Sequence, residues 1–340
     1  MNKRVLFTTL LLGLPFAVHL FFQSRRYRIA RLVSRSAFLN TLALKQLPKI
    51  PYQQLTTPHL PLIRKQFVYP EDQNDFFYYE QIRHADPTNS PVIVVPPLGG
   101  HSKLGCVRRA THHYYKQGRD VFVLLPRGST KMHPDQKKLR HQYQGDDLAQ
   151  LANLVGRCSV VSYGSGAFPV LQLLSQSPEQ IEKAALLFAP HDVGRMLHQK
   201  PEIERELGAQ IIQHIGENKQ YYLNQGFSED LLDHAMVRHQ VHYLDEIVCQ
   251  KLQPDQNGTH MLLEDFYEQI SLKQMIPRLK SEVLFVSCRD DVVNGRAVLE
   301  QEIAASRSCS LVVLNKGNYL GTRCEGGDVV SQIVGAWLLV

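Results

Sequence analysis

Short apolar runs recur along the chain between residues 92 and 314 and predict the strands of a β-sheet. Each run is apolar throughout and rich in β-branched residues, a pattern typical of strands that are covered on both faces. The longer intervals between the runs have room for helices, so the order of elements favours an α/β fold with a mostly parallel central sheet and helices on both faces. The runs are Val92 to Val95, Val121 to Leu125, Ser159 to Ser162, Ala184 to Phe188, Val283 to Ser287 and Leu311 to Leu314.

Helical patterns fill the intervals between these runs. Gly145 precedes a helix with Asp146 and Asp147 in its first turn, where carboxylates are favourable, and another helix is predicted to begin near Gly166. Residues 193–272 contain no convincing strand run and several amphipathic helical patterns. Because this segment lies between two predicted strands, we expect a helical cap insertion near the carboxyl ends of the strands.

A different apolar segment lies at the N-terminus, where residues 5–22 carry no formal charge over 18 positions. This length is about the minimum that crosses a bilayer, although Pro15 and His19 leave a shallow interfacial anchor open as the alternative. No small-residue cleavage site of a signal peptide follows the segment. Five arginines follow it, whereas only Lys3 and Arg4 precede it, so the positive-inside rule predicts a membrane-associated protein with its body in the cytoplasm.

The basic residues that follow the apolar segment recur at helical spacing, at Arg25, Arg28, Arg31 and Arg35. This spacing predicts either a helix that lies along an anionic leaflet or a solvated flank. We therefore divide the chain into an anchor with its basic flank over residues 1–40 and a folded domain over residues 41–340.

The net charge of +6 does not indicate a nucleic-acid partner once it is divided along the chain. Residues 1–40 contain seven Lys and Arg and no acidic residue, which leaves 31 basic against 32 acidic residues in the rest. A body with a net charge of −1 has no evident phosphate-binding face. The six cysteines lie far apart without metal-ligand spacing, so we expect neither a metal site nor another cofactor.

A run of small residues follows the third predicted strand and resembles the turn that exposes a catalytic nucleophile. In such a turn, small residues lie two positions before and two positions after the nucleophile. Centring the turn on Gly164 places the small residues Ser162 and Gly166 at these positions. Centring it on Ser165 places the bulky Tyr163 at one of them. The better register therefore leaves a turn whose central residue has no nucleophilic side chain, although Ser165 remains an alternative nucleophile.

Several motifs in order give the chain, over roughly residues 60 to 340, a resemblance to the α/β-hydrolase superfamily, and within it to the YheT-like branch of membrane-associated esterases and lipases. Their order and spacing carry the resemblance more than any one of them. They are the Pro-Pro-Leu-Gly-Gly stretch over residues 96–100, Arg127 with Gly128, the turn over residues 162–166, and the segments over residues 263–271 and 283–291.

The resemblance implies a catalytic triad, of which the sequence keeps one member. The acid position matches Asp291, the nucleophile position matches Gly164, and the histidine position matches Asn318. A serine nucleophile needs a histidine to take its proton, so the two substitutions agree with each other. The resemblance also assigns the backbone N–H groups of Leu98 and Ser165 as oxyanion-hole donors.

Other histidines can be offered as a substitute base, and His101 is the first of them because it follows the oxyanion loop. His112, His113 and His191 can equally be surface or loop residues, and none of them lies where the superfamily places its base.

The resemblance and the two substitutions together lead to three functional hypotheses. The first is a membrane-anchored, catalytically impaired protein that binds an acyl group or lipid, or acts as an interaction module. The second is an active serine esterase, lipase or thioesterase that uses Ser165 with a non-standard base. The third is a lipid-facing scaffold whose pocket is collapsed. The expected partners are membrane lipid and an acyl-containing small molecule, with no nucleic acid.

Overall fold

A computed structural model of the chain shows how the predicted elements assemble. It describes residues 29–33 as backbone only, and residues 60–97, 99–127, 132–137, 143–176, 178–192, 213, 215–238, 262–288, 299–314 and 327–339.

The described residues form a sheet of nine strands in the order β1-β9-β8-β7-β6-β4-β5-β3-β2. Strands β4 to β9 pair in parallel, whereas β1 pairs antiparallel with β9, and β3 pairs antiparallel with both β2 and β5. The strands are β1 (Ile29–Val33), β2 (Ile63–Tyr69), β3 (Asp72–Ile82), β4 (Val92–Val95), β5 (Val121–Leu125), β6 (Cys158–Tyr163), β7 (Ile181–Leu187), β8 (Glu282–Cys288) and β9 (Cys309–Leu314).

The described helices cover both faces of the sheet. Helices α1 and α9 pack on one face, and α2, α3, α7 and α8 contribute to the apolar core on the other face. The α/β class, the mostly parallel sheet and the two helical layers are thereby confirmed. The helices are α1 (Gly105–Lys116), α2 (Asp146–Val155), α3 (Ala167–Gln176), α4 (Lys219–Asn224), α5 (Glu229–Arg238), α6 (Leu263–Gln269), α7 (Leu272–Met275), α8 (Glu300–Ala305) and α9 (Gly327–Leu338).

All six apolar runs lie in strands, and each is fully buried over its apolar positions. One predicted boundary is wrong, because β7 ends at Leu187 and Phe188 leaves the strand with a φ of 55°. The backbone N–H of Phe188 still donates to the carbonyl oxygen of Val286 at 2.7 Å. Left-handed backbone is strained for a bulky residue, and such strain is commonest near functional sites.

Three strands were not predicted from the sequence. β2 and β3 form an antiparallel hairpin at one edge of the sheet, and β2 is exposed over its first four residues. At the other edge, residues 29–33 form β1, so the helical spacing of the arginines was misleading over this part of the chain. The division at residue 40 stays a prediction, although one strand from the first segment pairs with the sheet.

The insertion between β7 and β8 is helical where it is described, with α4, α5 and α6 within it. It contacts the loop after β5, where the side-chain oxygen of Asn218 accepts a hydrogen bond from the backbone N–H of Met132 at 2.6 Å. The predicted anchor over residues 5–22 lies outside the described residues. Within the described part of the chain, no helix is both long enough and apolar enough to cross a bilayer.

Candidate functional site

A tight turn joins the end of β6 to the start of α3, and Gly164 lies at its centre. Residues Gly164–Gly166 form a single 3₁₀ turn, and the φ of Gly164 is 53°. This left-handed conformation is costly for most residues and costs glycine little. The turn therefore has the sharp strand-to-helix geometry of a nucleophile elbow, and the residue at its strained position has no side chain.

The third residue of the turn is held against the end of β4. A Cβ atom added to Gly166 would lie 2.8 Å from the carbonyl oxygen of Val95, and still closer to that of Pro96. Only a residue without a side chain fits in that space, which explains why a small residue is needed two positions after the centre of the turn. The assignment of Gly164 to the nucleophile position stays a prediction.

Ser165 faces a small pocket beside the turn. The pocket has a volume of about 20 Å³, room for about one water molecule. None of the described residues that line it is a histidine. The lining residues are Val95, Pro96, Leu124, Pro126, Arg127, Tyr143, Gln144, Asp147, Ser165, Gly166 and Pro169.

Arg127 forms the polar wall of this pocket and is the centre of a buried ion-pair cluster. Its Nε donates to Asp147 Oδ2 at 2.7 Å, and its Nη2 donates to Asp147 Oδ1 at 2.8 Å and to Asp75 Oδ1 at 2.9 Å. Its Nη1 donates to Gln136 Oε1 at 3.1 Å. The hydroxyl of Tyr69 donates to Asp147 Oδ1 at 2.7 Å. We call these five residues the Arg127 cluster.

The charges in the Arg127 cluster determine which of its groups stay ionised. Burial lowers the pKa of Arg127, but the attraction of Asp147 and Asp75 outweighs this effect and raises the pKa above its ordinary value. The guanidinium therefore stays protonated, so it donates hydrogen bonds but does not act as a general acid. The cluster fixes the start of α2, the β2–β3 hairpin and the loop after β5 to one another. The sequence marked Arg127 only as part of a motif.

Aromatic side chains fill the space between the elbow, the loop after β5 and the cap. The ring of Tyr143 lies 5.2 Å from that of Phe168 in an edge-to-face contact and 5.9 Å from that of Phe266 on the cap helix α6. The ring centroids of Phe266 and Tyr267 are 6.0 Å apart. Such pairs stabilise packing beyond the area that they bury, so the cap is attached to the elbow by an apolar cluster.

The predicted site residues are only partly described. Gly164 and Ser165 lie in the turn as expected, whereas Leu98, Asp291 and Asn318 lie outside the described residues. His101 is exposed after the β4 loop, where its Nδ1 accepts a hydrogen bond from the backbone N–H of Lys103 at 3.1 Å. No group of three or more His, Cys, Asp or Glu within the described stretches is placed to hold a metal ion.

The other histidines lie in different environments. His191 is buried just after β7, where its carbonyl oxygen accepts a hydrogen bond from the backbone N–H of Leu272 at 3.3 Å. His112 and His113 lie on α1, where both are partly buried. His113 is therefore not a surface or loop residue, because its side chain projects from α1 against Gly335 of α9.

The sheet order, the elbow and the cap together define the α/β-hydrolase fold. A protein named as a lipase, lip1, from Acinetobacter baumannii AYE is similar with a TM-score of 0.52 and 14% identity, over 91% of this chain and 98% of its own. A membrane phospholipase A, described as a bacterial virulence factor, is similar with a TM-score of 0.51 and 14% identity, over 99% of each chain. Identities this low show the fold alone. No protein-family model and no curated protein matches the chain.

Proposed function

We propose that this chain is a membrane-anchored α/β-hydrolase-fold protein of the YheT-like branch that binds a lipid or another acyl-containing ligand without hydrolysing it. The observation that carries the proposal is the elbow, which keeps its left-handed centre and its close packing on β4 but has Gly164 at the centre. Acyl transfer by this fold needs a side-chain nucleophile at that point.

The backbone part of the site is better suited to binding than to chemistry. The N–H of Ser165 follows the centre of the elbow, which is one of the two positions that this fold uses for oxyanion-hole donors. Such donors can hold a carbonyl or carboxylate oxygen even when no covalent step follows. The names of the two similar structures, a lipase and a membrane phospholipase A, agree with an acyl ligand. The remaining assignments of Asp291, Asn318 and Leu98 rest on the sequence.

The proposal is tested by labelling the folded chain with a fluorophosphonate probe and locating any adduct by mass spectrometry. The wild-type protein is expected to show no adduct, because Gly164, at the centre of the elbow, offers no hydroxyl. The matched control is Ser165→Ala. An adduct on Ser165 in the wild type that is absent from this variant would contradict the proposal and favour an active esterase.

A gain-of-function experiment tests the register independently. Gly164→Ser combined with Asn318→His is expected to create fluorophosphonate labelling and weak esterase activity, whereas Gly164→Ser alone should give much less of both. Serine at this position has to adopt the left-handed backbone, at a cost of about 1 to 3 kcal/mol. If the folded double variant is as inert as the parent, the alignment of Asn318 or Asp291 is wrong.

The aromatic cluster beside the elbow favours a second candidate, a scaffold without a ligand cavity. The rings of Tyr143, Phe168 and Phe266 pack against one another, and the pocket beside Ser165 has room for only about one water molecule. Mass spectrometry of an organic extract of the purified chain separates the two candidates. A stoichiometric lipid supports ligand binding, and Phe168→Trp, which enlarges the cluster, should then reduce the amount bound. An extract without lipid supports the scaffold.

A further inference from the structure

The path of the chain through β1 determines whether the N-terminal segment leaves the domain at the carboxyl ends or at the amino ends of the parallel strands. Ile29, the first residue of β1, pairs with Leu314, the last residue of β9, and Val33 pairs with Leu311. β9 runs parallel to β8, β7 and β6, and the elbow follows the carboxyl end of β6. The chain therefore enters β1 at the carboxyl ends of the parallel strands, where the elbow lies. We call this side of the sheet the elbow edge, and the side formed by the amino ends of the parallel strands the opposite edge.

The connection between this edge and the apolar segment is short. Six residues, 23–28, separate Phe22 from Ile29. A fully extended chain of six residues spans at most about 20 Å. If residues 5–22 insert into a bilayer, the elbow edge of the sheet lies within that distance of the membrane surface. The amino ends of the parallel strands then face away from it.

The cap presents apolar side chains at this same edge. Leu231 and Val237 on α5 are 38% and 76% exposed, and Leu262 before α6 is 65% exposed. Exposed apolar side chains also occur elsewhere in the described part of the chain, at Ile63, Val68, Leu154 and Leu339. Those of the cap are the ones that an interfacial surface at this edge would bury in the boundary between headgroups and acyl chains.

Basic residues flank the same edge where α1 begins. Residues 99–109 contain three Lys and Arg and no Asp or Glu. Within the described part of the chain, Lys103 and Arg108 form no ion pair, and Lys103 is exposed beside the loop that follows β4. Cations at a membrane-facing edge are attracted to anionic headgroups.

We propose that the elbow edge of the sheet, with the cap, lies against an anionic phospholipid bilayer, so that the ligand enters the site from the membrane. The proposal deepens the proposed function, on which it rests, by naming the surface and the source of the ligand. The short connection, the exposed apolar side chains of the cap and the basic start of α1 all point to the same face.

The test uses the full chain in vesicles of phosphatidylcholine with phosphatidylserine. A photo-cross-linking amino acid replaces His101 at the elbow edge or, as a control, Lys280 at the opposite edge before β8; both positions are exposed. Lipid adducts at position 101 are expected to exceed those at position 280 severalfold. Equal adducts at both positions, or more at position 280, would overturn the proposed orientation.

A second arm tests the charge contribution with matched variants. Lys103→Glu should lower the adducts at position 101 by at least about fivefold, since loss of one cation near an anionic surface alone contributes about that factor and the new carboxylate adds repulsion. Arg278→Glu, which changes another exposed cation at the opposite edge, should have no effect. An unchanged amount of lipid adduct in Lys103→Glu would show that the basic residues at the start of α1 do not attract the membrane.

Vesicle flotation separates failure of the orientation from failure of the anchor. If the chain floats with the vesicles but cross-links at position 280, only the orientation is wrong and membrane anchoring remains. If the chain does not float, the anchor and the orientation are both wrong, while the fluorophosphonate result still decides the catalytic part of the proposed function.

Discussion

Two buried arginines flank the same strand, β5, at opposite edges of the sheet, and they are stabilised in different ways. Arg127 follows β5 at the elbow edge and is bound by Asp147, Asp75 and Gln136. Arg119 precedes β5 at the opposite edge and donates only to carbonyl oxygens within the described part of the chain, that of Ser90 at 2.7 Å and that of Leu338 at 2.9 Å.

The difference appears in the pKa of each guanidinium. Burial lowers the pKa of Arg119 below its ordinary value, because no carboxylate among the described residues binds it closely enough to compensate. For Arg127 the two carboxylates outweigh burial and raise the pKa. Charge compensation is therefore concentrated at the elbow edge, where it fixes the loops around the site. At the other edge, backbone dipoles attach the C-terminal helix α9 to the sheet.

The largest effect is expected from Arg127→Met, which leaves two buried carboxylates without their cation. Removing one partner from a buried ion pair typically costs 3 to 5 kcal/mol, and we expect a loss of about this size in the free energy of unfolding. Urea denaturation measures it. The control is Arg157→Met, whose ion pair with Glu182 at 2.8 Å is 78% exposed on the arginine side and should contribute less than about 1 kcal/mol.

A further change shows whether charge causes the effect. Adding Asp75→Asn to Arg127→Met removes one of the stranded carboxylates and should recover part of the lost stability. If the double variant is as unstable as the sum of the two single variants, the energy comes from packing and the comparison between the two arginines loses its electrostatic basis.

The second prediction concerns His113, which lies between α1 and α9 near the edge that Arg119 stabilises. Burial lowers the pKa of His113 from 6.5 to about 4, and the charges of His112 and Lys116 act in the same direction. The unfolded chain therefore binds a proton at higher pH than the folded chain does. Stability should be unaffected above pH 6.5 and fall by about 3 kcal/mol as the pH drops towards 4.

Urea denaturation of His113→Gln over the same pH range checks this expectation. The variant has no imidazole to titrate, so the difference between its stability and that of the wild type should change with pH. A constant difference would show that His113 is solvated in the folded chain. The acid sensitivity of the chain would then not be specific to the α1–α9 interface.

The third prediction is a smaller loss for Arg119→Met than for Arg127→Met. Two charge-assisted hydrogen bonds disappear, but the cost of burying a guanidinium disappears with them. We expect a net loss of about 2 kcal/mol, with faster hydrogen exchange at the end of α9, whose Leu338 carbonyl loses its donor. A loss as large as that of Arg127→Met would contradict the distinction between the two edges.

The parts of the fold that the sequence predicted are those in which local pattern and burial agree. The six apolar runs are buried on both faces, so their composition marks them regardless of the partners. The turn after β6 was predictable for the same reason, since the close approach of Gly166 to the end of β4 requires a small residue there.

The parts that the sequence did not predict depend on partners far away in the chain. β3 contains Asp72, Asn74 and Asp75, which look like loop residues until Arg127 provides the cation for one of them. The Arg127 cluster joins residues from Tyr69 to Asp147, a separation that no local pattern reveals. His113 was misplaced because its burial depends on α9, more than 200 positions later.

The smallest predicted effect is that of Tyr69→Phe, which removes one neutral donor from the Arg127 cluster and leaves its ion pairs in place. The hydroxyl of Tyr69 donates to Asp147 at 2.7 Å, in a buried position. A hydrogen bond to a charged acceptor contributes somewhat more than the ~1 kcal/mol of a neutral one, so the variant should lose about 1 to 2 kcal/mol. Tyr79→Phe, another buried tyrosine on the same face, should lose less. If both variants lose the same amount, Asp147 is held by Arg127 alone, and the compensation at the elbow edge is purely ionic.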